Sequence, residues 1–197
     1  MKMLARLLVG SALLMACAPT EVVLAEIPPE PDGGGVPRVD APCIDDSDCS
    51  PVESCSRPPG CMRMPGRCEL TPLFCPNVMA PVCGCDGVTY WNDCVRRQAR
   101  VPVGSIGECT ASVLRCKGGP DPGSACPAGL FCRRISPPGI PCPMLDEGVC
   151  WAVPESCEGS ERLPFVELCE SGAKCIDLCT AIRSERPHRI SDSPACR

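Results

Sequence analysis

Apolar positions in this chain come in short, widely separated bursts. The first is Leu7 to Met15, an apolar run behind the basic residues Lys2 and Arg6. It is too short to span a bilayer, and residues 1–17 have the build of a secretion signal. From 18 to 42 no period is sustained. Pro28-Pro29 and Gly33-Gly34-Gly35 stand among acids there, a linker composition that is stiff at the prolines and loose at the glycines. Between Cys43 and Cys68 turn residues separate successive cysteines, which predicts loops and very short strands.

The clearest pattern lies between Cys75 and Cys109. Val82-Cys83 and Val88-Thr89-Tyr90 flank the tight-turn dipeptide Asp86-Gly87 and predict a small hairpin. Asn92-Asp93 can cap a helix running from near Cys94 to about Arg100, stopped by Pro102. Val103 to Glu108 can then return as a third short strand. Farther on, Ala173 to Arg186 predicts another helix, with Cys175, Leu178, Cys179 and Ile182 on one face and Pro187 as the stop.

Composition changes this picture in one respect. The 197 residues include 21 Cys and 25 Pro but only 3 Phe, 2 Trp and 1 Tyr. Aromatic rings supply much of the buried area in small domains, so disulfides are expected to substitute for packing, each worth roughly 2–4 kcal/mol. Thiols at this density need an oxidising compartment to pair. The fold class that follows is small, disulfide-rich and α+β. The formal net charge is −5, and near −7 without the leader's Lys2 and Arg6. That balance argues against a nucleic-acid partner, which requires a basic surface, and reads as a soluble acidic surface.

The leader ends Leu14-Met15-Ala16-Cys17. This resembles the lipobox of bacterial lipoproteins, in which the cysteine becomes the first residue after cleavage and carries lipid. The resemblance implies lipidation at Cys17 and anchoring to a membrane of the cell envelope without a spanning helix. Ordinary secretion with cleavage at Ala16-Cys17-Ala18 is the alternative.

Setting Cys17 aside leaves an even set that divides into two tens, Cys43 to Cys109 and Cys116 to Cys196. Laid over each other in order, the tens share spacings. Five residues separate Cys49 from Cys55 and Cys126 from Cys132, and six separate Cys68 from Cys75 and Cys150 from Cys157. Pro58-Pro59-Gly60 and Pro137-Pro138-Gly139 each precede the fourth cysteine. The pattern predicts a tandem duplication with a unit at 43–109 and a degenerate copy at 116–196. Counting cysteines does not fix their connectivity.

Residues Cys75, Pro76, Pro81, Val82, Cys83, Gly84, Asp86, Gly87, Val88, Thr89, Tyr90, Asn92 and Cys94, with the closing Ile106-Gly107-Glu108-Cys109, form C-P-x4-P-V-C-G-x-D-G-V-T-Y-x-N-x-C ending in I-G-E-C. This stretch resembles the Kazal-type serine-protease inhibitor family, over a core at 75–109. The resemblance implies a short three-stranded sheet plus one helix, with cysteine-rich loop segments around it. It also implies pairing of Cys75 with Cys94 and of Cys83 with Cys109. Two features depart from the family. Val95, Arg96 and Arg97 stand where a further cysteine is usual, and Cys85 replaces a Ser or Thr. With the family pairing, Cys85 is left over, and one of the five cysteines at 43–68 is expected to bond it.

By the same resemblance, a protease reads the loop Pro76, Asn77, Val78, Met79, Ala80 and Pro81 as substrate. Asn77 enters the specificity pocket, and Asn77–Val78 is the bond at risk. Asn92 and Tyr90 of the TYxN motif support the loop from behind. A loop restricted beforehand loses less entropy on docking and can pair its backbone with the enzyme's, strand-fashion. Asn77 suits neither a trypsin-like pocket, which takes Lys or Arg, nor a chymotrypsin-like one, which takes a large apolar group. The expected partner is therefore a serine protease of other specificity. The rival reading is a non-inhibitory binding or structural module of follistatin-like type. In the copy with core 157–196 the corresponding loop is longer and Gly159 takes the specificity position, so that unit is expected not to inhibit.

Other chemistry finds little footing. No C-x-x-C pair suggests structural zinc, and Cys83-Gly84-Cys85 reads as disulfide material. His188 is the one histidine, and although Asp192 is near in sequence no nucleophile turn accompanies it. No phosphate-binding glycine loop follows a strand. The expectation is a non-enzyme without a cofactor or metal.

Overall fold

The computed structural model describes residues 38–117, 125–136, 147–158, 164–169, 174–190 and 196. The leader with Cys17, the linker before residue 38, Pro137-Pro138-Gly139, Cys142, Gly159, Ala173 and Asp192 lie outside the described residues.

The very short strands of the front segment pair into a small antiparallel sheet. Its strands are β1 (Pro42–Cys43), β2 (Glu53–Ser56) and β3 (Gly66–Leu70), in the order β1-β3-β2. Disulfides Cys43–Cys55 and Cys49–Cys68 cross it. Its buried apolar cluster is Cys43, Cys55 and Cys68, so sulfur is the core here. Glu53 is buried beside it. Its Oε2 accepts hydrogen bonds from the Ser50 N–H (3.1 Å), the Ser50 hydroxyl (2.7 Å) and the Arg38 N–H (2.9 Å). Burial alone would raise its pKa, but these donors outweigh that and hold the carboxyl below its ordinary value.

The next segment contains β4 (Val82–Gly84), β5 (Thr89–Tyr90), helix α1 (Asp93–Gln98) and β6 (Val103–Ile106). The hairpin register pairs Val82 with Tyr90 and Cys83 with Thr89. Gly87 makes its turn at φ 79, and a Cβ there would meet the Ser112 carbonyl oxygen at 2.2 Å, so both the backbone conformation and the space demand glycine. Cys61–Cys85 ties the front segment to this core, and Cys75–Cys94 and Cys83–Cys109 close the core itself.

The sheet does not stop at three strands. β7 (Arg115–Lys117), β8 (Phe131–Arg133) and β9 (Glu147–Ala152) continue it in the order β6-β4-β5-β9-β7, with β8 also pairing β9. The join is parallel, Thr89 opposite Trp151 and Tyr90 opposite Ala152. Trp91 and Trp151 are fully buried at this join, with ring centroids 6.3 Å apart in an edge-on arrangement. The Arg133 guanidinium lies 4.4 Å from the Trp151 ring centre and 2.8 Å from the Glu108 carboxylate. The two halves thus share one sheet and one apolar cluster, which runs from Val82, Val88 and Tyr90 through both tryptophans to Val166, Leu178 and Ile182. Few aromatics are present, but the largest sit together where the halves meet.

The last segment places β10 (Phe165–Leu168) between β11 (Cys175–Asp177) and β12 (His188–Ile190), with helix α2 (Leu178–Arg183) between the outer strands in sequence. The helix is shorter than the span 173–186 read from periodicity. Cys175 to Asp177 are extended, and the Asp177 side chain accepts from the Thr180 N–H (2.9 Å) to start the helix only at Leu178. The geometry after each helix recurs. Arg100 (φ 56) and Glu185 (φ 51) both take the left-handed conformation, and a proline and a strand follow each. Three pairings also recur: Cys116–Cys132, Cys126–Cys150 and Cys157–Cys179 match Cys43–Cys55, Cys49–Cys68 and Cys75–Cys94 in order. Among the described bridges the order departs at Cys175–Cys196, since Cys85 and Cys109, at the same places in the first ten, bond Cys61 and Cys83 instead.

Candidate functional site: the loop 75–82

The loop has no regular structure of its own and is fixed by what surrounds it. Cys75 is bonded to Cys94 on α1, and Cys83 to Cys109 beyond β6. The Ala80 N–H donates to the Trp91 carbonyl (3.0 Å), and the Gly107 N–H donates to the Pro81 carbonyl (2.9 Å).

Asn92 is the central support. It stands in extended conformation immediately before α1, and its Oδ1 accepts the Val95 N–H at 3.0 Å, capping the helix. Its Nδ2 donates to the Pro76 and Val78 carbonyls, both at 2.9 Å. One nearly buried amide therefore spends both donors on the loop and its acceptor on the helix. The two braced carbonyls flank the Asn77–Val78 peptide bond on either side.

Tyr90 acts elsewhere. Its hydroxyl donates to Asp86 Oδ2 (2.7 Å), and Asp86 Oδ1 accepts the Val88 N–H (3.1 Å), so the pair locks the hairpin turn. Burial, and then the hydrogen bond and charge of Asp86, push the Tyr90 pKa up, leaving a neutral phenol. Strand pairing joins Tyr90 to Val82 at the end of the loop.

Side chains alternate along the loop, as an extended chain requires. Pro76, Val78 and Ala80 are exposed, while Asn77, Met79 and Pro81 are half-buried. Val78 keeps 60% of its surface open. With Ala80, Pro81 and Ile106 it lines a shallow apolar groove of about 710 Å³. Met79 packs against the central cluster.

Asn77 points at the second half of the chain. Its Nδ2 donates to the Cys157 carbonyl at 2.6 Å, with the Glu158 carbonyl at 3.5 Å. Its Oδ1 is buried without a hydrogen-bond partner. Sequence reading placed Asn77 in the loop but carried no signal for this contact, which spans 80 positions. It also passed over Asp177. Asp177 precedes Cys179 by two residues, as Asn92 precedes Cys94, and caps α2 in the same way. A carboxylate has no N–H to give, so the cap survives in the second half without a brace.

Among the described residues, the groups of cysteines close enough to hold a metal ion are disulfide-bonded, and so not available as thiolates. His188 is fully buried, with Nδ1 2.9 Å from the Arg186 carbonyl. No described helix is long and apolar enough to cross a membrane.

Residues 55–109 match the model of the Kazal-type serine protease inhibitor domain, so the chain carries a domain of this type. The match begins at Cys55, twenty residues before the core read from the motif, and takes in the front segment's Cys61 and Cys68. No curated protein and no solved structure matches the chain.

Proposed function

We propose that this Kazal-type domain inhibits a serine-type endopeptidase through a substrate-like loop whose scissile bond is Asn77–Val78. The observation that carries the reading is the Asn92 brace. If Asn77–Val78 is hydrolysed, Pro76 lies on one side of the cut and Val78 on the other, and both carbonyls are bonded to the same Nδ2 at 2.9 Å. Cys75–Cys94 holds the first fragment, and strand β4 with Cys83–Cys109 holds the second. The new ends stay in place, so religation competes with release and the enzyme remains occupied. Preorganisation lowers the ordering entropy lost on docking.

The test is titration of the protein against a panel of serine proteases, with the integrity of the Asn77–Val78 bond followed by mass spectrometry. Inhibition with slow, incomplete cleavage supports the reading. Rapid complete cleavage without inhibition favours a non-inhibitory binding or structural module of follistatin-like type. One observation speaks for that rival: Asn77, the residue a protease pocket would receive, is already hydrogen-bonded within the chain.

The second half belongs to the same reading as a degenerate duplicate, supported by the three recurring disulfides and the recurring helix–proline–strand order. It lacks the brace, because Asp177 stands where Asn92 does, and is assigned no inhibitory loop. Lipidation at Cys17 would tether the protein to a membrane of a bacterial envelope, facing the periplasm or exterior. The lipobox-like Leu14-Met15-Ala16-Cys17 supports this assignment, and mass spectrometry of the processed N-terminus tests it.

A further inference from the structure

A substrate-like loop must give its specificity side chain to a protease pocket that surrounds it. Here that volume is taken. The Cys157 carbonyl oxygen sits 2.6 Å from Asn77 Nδ2, and Asn77 Oδ1 is closed off from solvent as well. The neighbouring side chain, Val78, is open.

The segment that occupies this space is held at several points. It leaves β9 at Ala152, whose carbonyl accepts the Trp91 N–H at 2.8 Å. Val153 is buried in the shared core. Arg183 donates to the Pro154 carbonyl at 2.6 Å, and the Ser156 hydroxyl accepts the Glu158 N–H at 3.1 Å. Cys157 is bonded to Cys179, a fully buried residue of α2. The side chain also fits its surroundings. Two backbone carbonyls call for an N–H donor, which an amide supplies and an aliphatic side chain does not. Asn, a poor choice for the common protease pockets, supplies the donor this cradle calls for, although its Oδ1 stays buried without a partner.

We propose that the second half is a built-in cover for the first. The Cys157 and Glu158 carbonyls hold Asn77 out of reach, and the inhibitor is latent until that segment is displaced. The proposal rests on the inhibitory reading of the loop, and its test separates the two.

The cover alone is tested on the unaltered protein by hydrogen exchange of the Asn77 side-chain amide, followed by NMR. Exchange slowed about two- to tenfold relative to a solvated amide is expected, since a single net hydrogen bond is worth about that factor. Exchange at the solvated rate overturns the cover. The consequence is tested in the full chain with Asn77 kept, because an aliphatic side chain would not engage the two carbonyls, and with subtilisin as the probe: the unaltered protein is compared with a Cys157→Ala, Cys179→Ala variant. The cysteine variant is expected to associate about two- to tenfold faster than the unaltered protein, because the covered fraction no longer subtracts from the competent one. Equal association rates overturn the cover and leave the inhibitory reading standing. If neither protein inhibits and both are cut at residue 77, the inhibitory reading falls. The cover is then judged by amide exchange, which also decides it should the cysteine variant not fold.

Discussion

Replacing Asn92 by Asp separates two jobs that one side chain performs. A carboxylate oxygen can still accept the Val95 N–H, and its charge is favourable at the first turn of α1. The two Nδ2 donors to Pro76 and Val78 are lost, and an oxygen faces those carbonyls instead. Two neutral hydrogen bonds at about 0.5–1.5 kcal/mol each give a loss of about 1–3 kcal/mol. Asn92→Ala removes the cap too, for roughly 1 kcal/mol more. Denaturant unfolding of the oxidised protein should therefore rank wild type above Asp and Asp above Ala. The Ala80 amide, bonded to the Trp91 carbonyl behind the same loop, should exchange roughly five- to a hundredfold faster in the Asp variant. Acid should partly restore Asn92→Asp, because the protonated carboxyl regains one donor. Equal stability of wild type and Asp would refute the brace, and equal stability of Asp and Ala would refute the separate cap.

Trp151→Ala should destabilise the whole compact unit by about 3–5 kcal/mol, since it opens a cavity against Trp91 and strips Arg133 of its ring. A single cooperative transition in denaturant, reporting both halves together, is the expected form. Cys61→Ala with Cys85→Ala should cost about 2–4 kcal/mol, and peptide mapping of the unaltered protein should recover the 61–85 link. His188 is held neutral in the fold, chiefly by burial. The Arg186 carbonyl opposes that shift, and the charges of Arg133 and Arg134 add to it. Its folded pKa lies below the unfolded value, so the unfolded chain binds the proton first and stability falls as pH drops below about 6.5. His188→Asn should flatten the part of the stability profile that lies below about pH 6.5.

Local chemistry was readable from the chain. The Asp86-Gly87 turn, the Asn92 cap and the arrest at Pro102 each rest on residues within a few positions of the element they shape. They produce a hairpin at Val82–Tyr90 and a helix at Asp93–Gln98. The second helix was overdrawn because periodicity weighs side chains and not caps: Cys175 fits a helical face but belongs, with Ile176, to a strand that pairs with β10. Very short strands were expected in the front segment, but not their pairing into one sheet. Its strands are two to five residues long and its core is sulfur, so no alternation of apolar and polar positions announces it.

What composition alone could not reveal is where the scarce large rings go. A low aromatic content argues for disulfides in place of a core, and that holds for the front segment, whose buried cluster is three cysteines. It fails where the halves join, because a fully buried Trp from each half does work there that no described disulfide does. The sulfur bridges described here connect residues within 43–109 or within 116–196, while the parallel β5–β9 pairing, the tryptophan pair and the Glu108–Arg133 contact connect one to the other. The fold therefore uses two kinds of cement. Disulfides shape each half, and packing sets how the halves meet. The site inherits that division: Cys75–Cys94 and Asn92 shape the loop, but the seam led by Trp91 and Trp151 brings Cys157 to Asn77. A loop read only from its own cysteines would present Asn77 to a protease, whereas a loop read with its seam presents Val78 and keeps Asn77 within the chain.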